Sequence, residues 1–258
     1  MPDLDNARVG TPLADSQWKG RVVVVSPHLD DAVLSLGASM RAAHRRGVEV
    51  DVLTVLSGNP DSTSPSDRHN AKAGFATAGE ASRARRIEDE EACRAVGARA
   101  LWLPFSDDAN EPTDRDDAIT AALADRLREY DAVLLPGFPL KHRDHQRIIR
   151  LALAALPPDS VVGLYVEQPY ASWRAFSRKT LRTGRTTDGS ALADAGLTLT
   201  SVAEWQRAAC APSDWAMKIR AAGAYRSQMP VLRKAPRARI LVHELMRRGE
   251  RVCWYRVR

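Results

Sequence analysis

Polar residues that could bind a metal ion follow a short apolar run near the start of the chain. Residues 26–31 read SPHLDD, directly after the four valines of 22–25. His28, Asp30 and Asp31 bring one imidazole and two carboxylates to the point where a buried strand would turn into a helix. Imidazole nitrogen and carboxylate oxygen are common ligands of catalytic zinc, which keeps three protein ligands and an open position for water. The spacing therefore predicts part of a metal site.

A second polar cluster, His142-Arg143-Asp144-His145, follows another apolar run at 132–135. Open α/β sheets bind ligands in the crevice outside the carboxyl ends of their strands, so we expect the two clusters to meet there. Together they offer enough groups for three metal ligands, with a base and an acid left over. A catalytic zinc ion lowers the pKa of its bound water to about 7. We therefore expect hydrolysis at a metal ion.

The same residues also have ordinary structural interpretations. Asp30 or Asp31 alone would be explained as the N-cap of the following helix, but two consecutive aspartates beside His28 exceed that need. Asp144 could likewise cap a helix, and without the first cluster that interpretation is as good as a catalytic one. The other histidines have no such neighbours in the sequence: His44, His69 and His243.

Length and composition predict one large α/β domain over 1–258, with 44% hydrophobic and 27% charged residues. No run approaches the roughly 18 apolar residues that a membrane helix needs. Residues 1–19 form a polar leader that does not resemble a secretory signal. Three widely spaced cysteines lack disulfide or zinc-finger spacing, which favours free thiols and a cytoplasmic location: Cys93, Cys210 and Cys253.

The net charge of +6 comes from 38 basic and 32 acidic residues, and the arginines are scattered along the chain. No nucleic-acid-binding motif or set of interleaved aromatic residues accompanies them, so we interpret them as solvated helix faces. We expect a small-molecule partner and no nucleic acid. A non-catalytic domain that binds anions or nucleic acid is the remote alternative. The oligomeric state stays open.

Short apolar runs alternate with helical patterns along the chain. The predicted strands are 21–26, 48–56, 99–104, 132–136, 161–166 and 251–257. The predicted helices are 31–46, 80–96, 114–130, 146–156, 213–228 and 238–246. A long loop is expected over 57–79, and a variable substrate-side insertion over 170–200. The alternation predicts an α/β, Rossmann-like, doubly wound and mostly parallel sheet, with helices on both faces and a C-terminal extension. The last predicted strand, 251–257, could lie at an edge of the sheet.

The paired clusters resemble the signatures of a known family. Residues 27–31 (PHLDD) resemble the (P/A)HxDD signature of the LmbE-like, or PIG-L, zinc-dependent N-deacetylases, and residues 142–145 (HRDH) resemble their HxDH signature. Residues 85–88, 107 and 218–228 are similar to further features of the family, so that the resemblance covers about 20–230. Leu29 and Arg143 replace the usual prolines, which removes two constraints on φ at these turns.

The resemblance implies a ligand set and a base. His28, Asp31 and His145 would bind zinc, although ligand type alone also allows iron(II). Asp30 would deprotonate the attacking water. A cation beside Asp30 is expected to lower the pKa of this carboxylate and to keep it ionised at neutral pH.

The resemblance also implies an acid and substrate contacts. His142 would stabilise the oxyanion or protonate the leaving amine, and Asp144 would orient it. Arg85 and Asp107 would contact the substrate. The implied reaction removes an N-acetyl or other acyl group from an aminosugar or its conjugate through metal-activated water. An amidase that acts on a non-sugar amide or a thiol conjugate is the second interpretation.

Overall fold

The computed structural model describes residues 8–9, 11–13, 16–106, 115–140, 142–169, 171, 198–199, 205–228 and 249–257. The predicted helix 238–246 and most of the insertion 170–200 lie outside these residues. Across the described ranges, no helix is long and apolar enough to cross a membrane. The three cysteines are free thiols, as predicted, and two of them are buried.

Ten strands and six helices are present in the described ranges. The strands are β1 (Arg8–Val9), β2 (Thr11–Leu13), β3 (Arg21–Ser26), β4 (Glu49–Thr54), β5 (Arg99–Trp102), β6 (Ala132–Phe138), β7 (Val161–Val166), β8 (Thr198–Leu199), β9 (Gln206–Arg207) and β10 (Arg251–Arg256). The helices are α1 (Asp31–Arg45), α2 (Arg68–Lys72), α3 (Ala78–Ala95), α4 (Arg115–Leu127), α5 (Arg143–Ala155) and α6 (Pro212–Ala222). The short helix α2 lies within the segment that was predicted to be a loop throughout, and β1 and β2 lie within the polar leader.

The main sheet has the strand order β2-β10-β7-β6-β3-β4-β5, and β9 pairs with β10 at the side. From the central β3 the chain runs outward through β4 and β5, and then returns to run outward on the other side through β6 and β7. These five strands are parallel, which confirms the doubly wound, mostly parallel sheet. The order reverses between β3 and β6, and this switch point opens the crevice in which such folds bind ligands.

The last strand is not at the sheet edge. β10 lies between β7 and β2 and is antiparallel to both. The sequence left this position open because an apolar run shows that a strand is buried but does not show which strands pair with it.

The valines of β3 divide the core between the two faces of the sheet. Val23 and Val25 pack in one cluster with residues of α4 and α5, whereas Val22 and Val24 pack in another with residues of α1, α3 and α6. All four are fully buried. Successive side chains of a strand point to opposite faces, so an unbroken valine run is what a strand covered on both sides requires.

Helix α5 begins earlier than the sequence predicted. The apolar periodicity placed its start at 146, but the helix starts at Arg143, and His142 is its N-cap. Asp144 and His145 therefore lie in the first turn of α5 and not in a preceding loop. An acidic residue is favourable there because it complements the helix dipole.

Helix α6 is joined to the sheet and to α1 through a buried ion pair. Nζ of Lys218 lies 2.7 Å from Oε1 of Glu250, and neither side chain is more than 4% exposed. Glu250 also accepts hydrogen bonds from the backbone N–H groups of Ala38 and Ser39 in α1, at 3.1 and 2.6 Å. One carboxylate thus connects three elements behind the crevice.

Candidate metal centre and active site

The turn after β3 is shaped by a serine and not by an aspartate cap. Oγ of Ser26 accepts a hydrogen bond from the N–H of Ala32 at 3.0 Å and donates one to the carbonyl of His28 at 2.6 Å. Asp30 occupies the N-cap position of α1 with φ 128°, but its side chain makes no capping hydrogen bond. Positive φ is strained for a residue other than glycine, and such strain is typical of functional sites. The capping interpretation therefore does not explain Asp30.

Asp31 is the point at which the two clusters meet. Its Oδ2 accepts a hydrogen bond from the backbone N–H of His28 at 3.0 Å and lies 3.3 Å from Nδ1 of that residue. The same oxygen lies 3.2 Å from Nε2 of His145. Burial would raise the pKa of Asp31, but His145 and His28 together hold it well below its ordinary value. The group is therefore a carboxylate facing two imidazoles.

Asp144 makes a second connection between the clusters. Its Oδ2 lies 3.0 Å from Nε2 of His28 and 3.2 Å from Nδ1 of His142. The rings of the three histidines at residues 28, 142 and 145 lie 5.3 to 5.4 Å apart between centroids. Side chains from two distant segments thus meet in one cluster; these are His28, Asp31, His142, Asp144 and His145. Asp30 lies beside this cluster, at the N-cap position of α1, where Asp31 and His28 influence its charge.

Two sets of potential metal ligands share His28. In one set, the ligand atoms of His28, Asp31 and His145 lie within 4.8 Å of one another, and two of the three residues are buried. The other set combines His28 with His142 and Asp144 and is more exposed. The donor chemistry of the first set, two imidazoles and a carboxylate, suits a catalytic zinc or iron(II) ion.

The protonation of the histidines also fits a cation site. Burial would lower the pKa of His28, but hydrogen bonds to Asp144 and Asp31 raise it to about 9. Burial opposes a charge on His145 too, yet Asp31 and Glu167 raise its pKa well above the ordinary value. Without metal the site therefore holds protons at neutral pH. A metal ion binds the deprotonated ligands and would take the place of these protons.

Asp30 behaves differently from its neighbour. Burial and the adjacent charge of Asp31 raise the pKa of Asp30 well above its ordinary value, and the positive charges of His28 and Arg85 lower it less. This direction, which the protein groups alone produce, is opposite to the one expected beside a cation. A bound cation would bring the pKa down again.

The predicted substrate-contacting residues are placed only in part. Arg85 lies on α3, and its buried Nε and Nη2 have no hydrogen-bond partner among the described residues. Asp107 lies outside those residues. Elsewhere on α3, Glu88 accepts hydrogen bonds from the N–H and Oγ of Ser227, at 2.9 and 2.8 Å. The structure thus joins two of the more distant sequence features that resemble the family.

Sequence reasoning missed Glu167, which directly follows β7. This residue is 2% exposed, and its Oε1 accepts a hydrogen bond from Nδ1 of His145. Its Oε2 accepts a second hydrogen bond from the backbone N–H of Leu140 at 2.7 Å. Because β3, β6 and β7 are adjacent parallel strands, the residues that follow them share one edge of the sheet. That rule applied to the third strand would have found Glu167.

The fold and the site define an α/β protein with a candidate His/Asp/His metal centre at the switch point of its sheet. The model of the PIG-L family, described as GlcNAc-PI de-N-acetylase, matches residues 23–156, just over half of the 258 residues. The chain belongs to this family. A search of curated proteins found no significant match to the chain.

Solved structures resemble nearly the whole chain. The A40926 pseudoaglycone deacetylase Dbv21 is 27% identical, with a TM-score of 0.71 over 92% of this chain and 97% of that chain. The zinc-inhibited form of the teicoplanin deacetylase Orf2 is 22% identical, with a TM-score of 0.69 over 92% and 98%. N,N'-diacetylchitobiose deacetylase from Pyrococcus horikoshii is 18% identical, with a TM-score of 0.51 over 90% and 83%. At their identities, the last two show likeness of fold.

Proposed function

We propose that the protein is a metal-dependent N-deacetylase that removes an N-acetyl group from an aminosugar or an aminosugar conjugate. The observation that carries this proposal is the convergence of the two family signatures, which brings ligand atoms of His28, Asp31 and His145 within 4.8 Å of one another. The family description and the names of the three deacetylases support the acetyl group and the aminosugar.

The proposed metal ligands are His28, Asp31 and His145. An ion bound there would act as a Lewis acid on the amide carbonyl and lower the pKa of a bound water. Zinc is the first candidate and iron(II) the second. One of the similar structures is described as the zinc-inhibited form of its enzyme. Because zinc inhibits that enzyme, both metals belong in the test.

Asp30 is the proposed general base. Asp30 is half-buried, it directly precedes the proposed ligand Asp31, and its side chain makes no capping hydrogen bond. A base must be deprotonated before it can take a proton from water, and a metal ion bound beside Asp30 would lower the pKa of this carboxylate and keep it ionised at neutral pH. The proton would then pass to the leaving amine.

His142 is the proposed acid and oxyanion partner. Its side chain is 47% exposed, so it faces an incoming substrate more openly than His145, which is 1% exposed. Asp144 contacts Nδ1 of His142, which leaves Nε2 as the ring nitrogen for the substrate. An imidazolium there would stabilise a tetrahedral oxyanion or protonate the amine. Arg85 and Asp107 are proposed to contact the sugar.

The test is acetate release by protein that has been stripped of metal and reloaded with zinc or, without oxygen, with iron(II). The substrates are N-acetylglucosaminides, a glycopeptide N-acylated on its sugar, and a non-sugar acetamide of similar size. We expect release from at least one sugar substrate, dependent on metal and lost in His145→Ala.

A folded, metal-free and inactive protein would overturn the proposal. Turnover of the non-sugar amide alone would instead establish the amidase. Asp51→Asn is the matched control, because Asp51 is a buried carboxylate in the first half of β4, whereas the candidate site follows the carboxyl ends of the strands. Its neutralisation should leave turnover unchanged.

A further inference from the structure

We propose that Glu167 is a positioning residue that sets the orientation and the proton of His145 and at the same time holds the loop before His142. This inference rests on the proposed function, because it concerns the same metal centre. It adds a residue that directly follows a third strand, β7, to the two clusters.

The first observation is that both carboxylate oxygens of Glu167 are used. Oε1 accepts from Nδ1 of His145, and Oε2 accepts from the N–H of Leu140 at 2.7 Å. Both Glu167 and His145 are at most 2% exposed. Water therefore has little access to this contact, and the carboxylate is the group that decides where the imidazole proton resides.

The consequence for His145 follows from the chemistry of the ring. A neutral imidazole has one N–H and one lone pair, and a carboxylate on Nδ1 keeps the proton there. The lone pair is then on Nε2, the nitrogen that lies 3.2 Å from Oδ2 of Asp31. When a metal ion displaces the second proton of the ring, Glu167 thus leaves the lone pair of His145 on Nε2, within the proposed ligand set.

The second oxygen acts on the other half of the cluster. Leu140 has φ 46°, a left-handed conformation that is unfavourable for a leucine. The hydrogen bond from its N–H to Glu167 stabilises this conformation, and its carbonyl accepts a hydrogen bond from the side chain of Gln146 at 2.7 Å. Both backbone polar groups of Leu140, two residues before His142, are therefore held by side chains.

A glutamine cannot reproduce both contacts. His145 and Leu140 both donate to Glu167, whereas a side-chain amide has one accepting oxygen and one donating nitrogen. If the amide oxygen faces Leu140, the NH₂ group faces Nδ1 of His145 and donates to its lone pair. The proton of the ring is then on Nε2, which can no longer bind a metal ion. If the oxygen faces His145, two N–H groups oppose each other at Leu140. Glu167→Gln therefore preserves the volume of the side chain but cannot accept hydrogen bonds from His145 and Leu140 at the same time.

The experiment compares zinc affinity of the parent, Glu167→Gln and Asp51→Asn proteins by competition with a chromophoric chelator. ¹⁵N-histidine NMR of the zinc-loaded proteins reports the Nδ1–H of His145. We expect Glu167→Gln to bind zinc about 10- to 100-fold more weakly and to lose the protected Nδ1–H signal. Asp51→Asn, which also exchanges a buried carboxylate for an amide, should match the parent in both measurements.

Parent-like affinity together with an unchanged Nδ1–H signal in Glu167→Gln would overturn the inference and leave the metal-dependent function intact. Absence of zinc and iron(II) binding by the parent would overturn both. If Glu167→Gln does not fold, Glu167→Asp decides the question. The shorter side chain keeps the charge but withdraws it from His145, so parent-like affinity in that variant would also refute the inference.

Discussion

Oδ2 of Asp144 lies 3.0 Å from Nε2 of His28, although the two residues are 116 positions apart in the chain. A second contact, 3.2 Å between Asp31 and His145, joins the same two segments. Each cluster thus contributes a carboxylate to an imidazole of the other. Neither cluster is a site by itself.

Asp30→Asn should strongly reduce turnover and retain the metal. The amide has the shape of the carboxylate but cannot accept a proton, so the rate should fall by about 10²- to 10⁴-fold. Metal content and acetate release, measured on the same preparation, check this prediction. Asp31→Asn is the comparison and should lose metal as well. If Asp30→Asn loses the metal and Asp31→Asn keeps it, the two roles are reversed.

Metal binding near neutral pH should release protons. Burial would lower the pKa of His28, but Asp144 and Asp31 raise it to about 9, so a metal ion must displace that proton. Apparent affinity should rise about tenfold per pH unit for each displaced proton until the pKa is passed. Calorimetry in two buffers of different protonation enthalpy measures the release. Binding heats that are equal in both buffers would contradict it.

The stability of the metal-free protein should change in the opposite direction. His28 holds its proton more tightly in the folded protein, since its pKa rises there from 6.5 to about 9. Its contribution to the free energy of unfolding is therefore fully present below the lower value and is lost as the pH rises through the higher one. Denaturant unfolding across this range, with His28→Gln as the control, isolates the contribution. A variant with the same pH dependence as the parent would refute it.

Ser26→Ala should destabilise the start of α1. The hydroxyl satisfies the N–H of Ala32, and loss of such a cap costs about 1 kcal/mol. Denaturant unfolding of the metal-free protein provides the measurement, and substitution of the exposed Ser213 by alanine is the matched control. Equal stability of the two variants would show that the hydroxyl does not cap the helix.

Lys218→Met should be strongly destabilising. It leaves Glu250 as a buried charge without its cation, and breaking such a pair costs about 3–5 kcal/mol. Arg128→Met provides the control, because Arg128 and its partner Asp125 are both 64% exposed and such surface pairs contribute about 0–1 kcal/mol. Similar free energies of unfolding for the two variants would contradict the prediction.

Much of the local structure could be predicted from residue patterns. The limits of the strands Arg21–Ser26 and Val161–Val166 agree with the sequence because apolar runs end there in polar or turn-forming residues. The start of α5 was placed too late, because Arg143, Asp144 and His145 carry no apolar periodicity even though they are helical. Hydrophobic patterns indicate which residues are buried. They do not indicate helical residues that are polar, such as those in the first turn of α5.

The sequence by itself determined the residue types of the two clusters and their position after predicted parallel strands, since a six-residue pattern is a local property of the chain. Only the tertiary structure decided that Asp144 faces His28, that Glu167 lies behind His145 and that β10 lies inside the sheet. These relationships join residues 22 to 116 positions apart, or strands from opposite ends of the chain. They depend on strand order and side-chain packing, which hydrophobic periodicity along one segment does not encode.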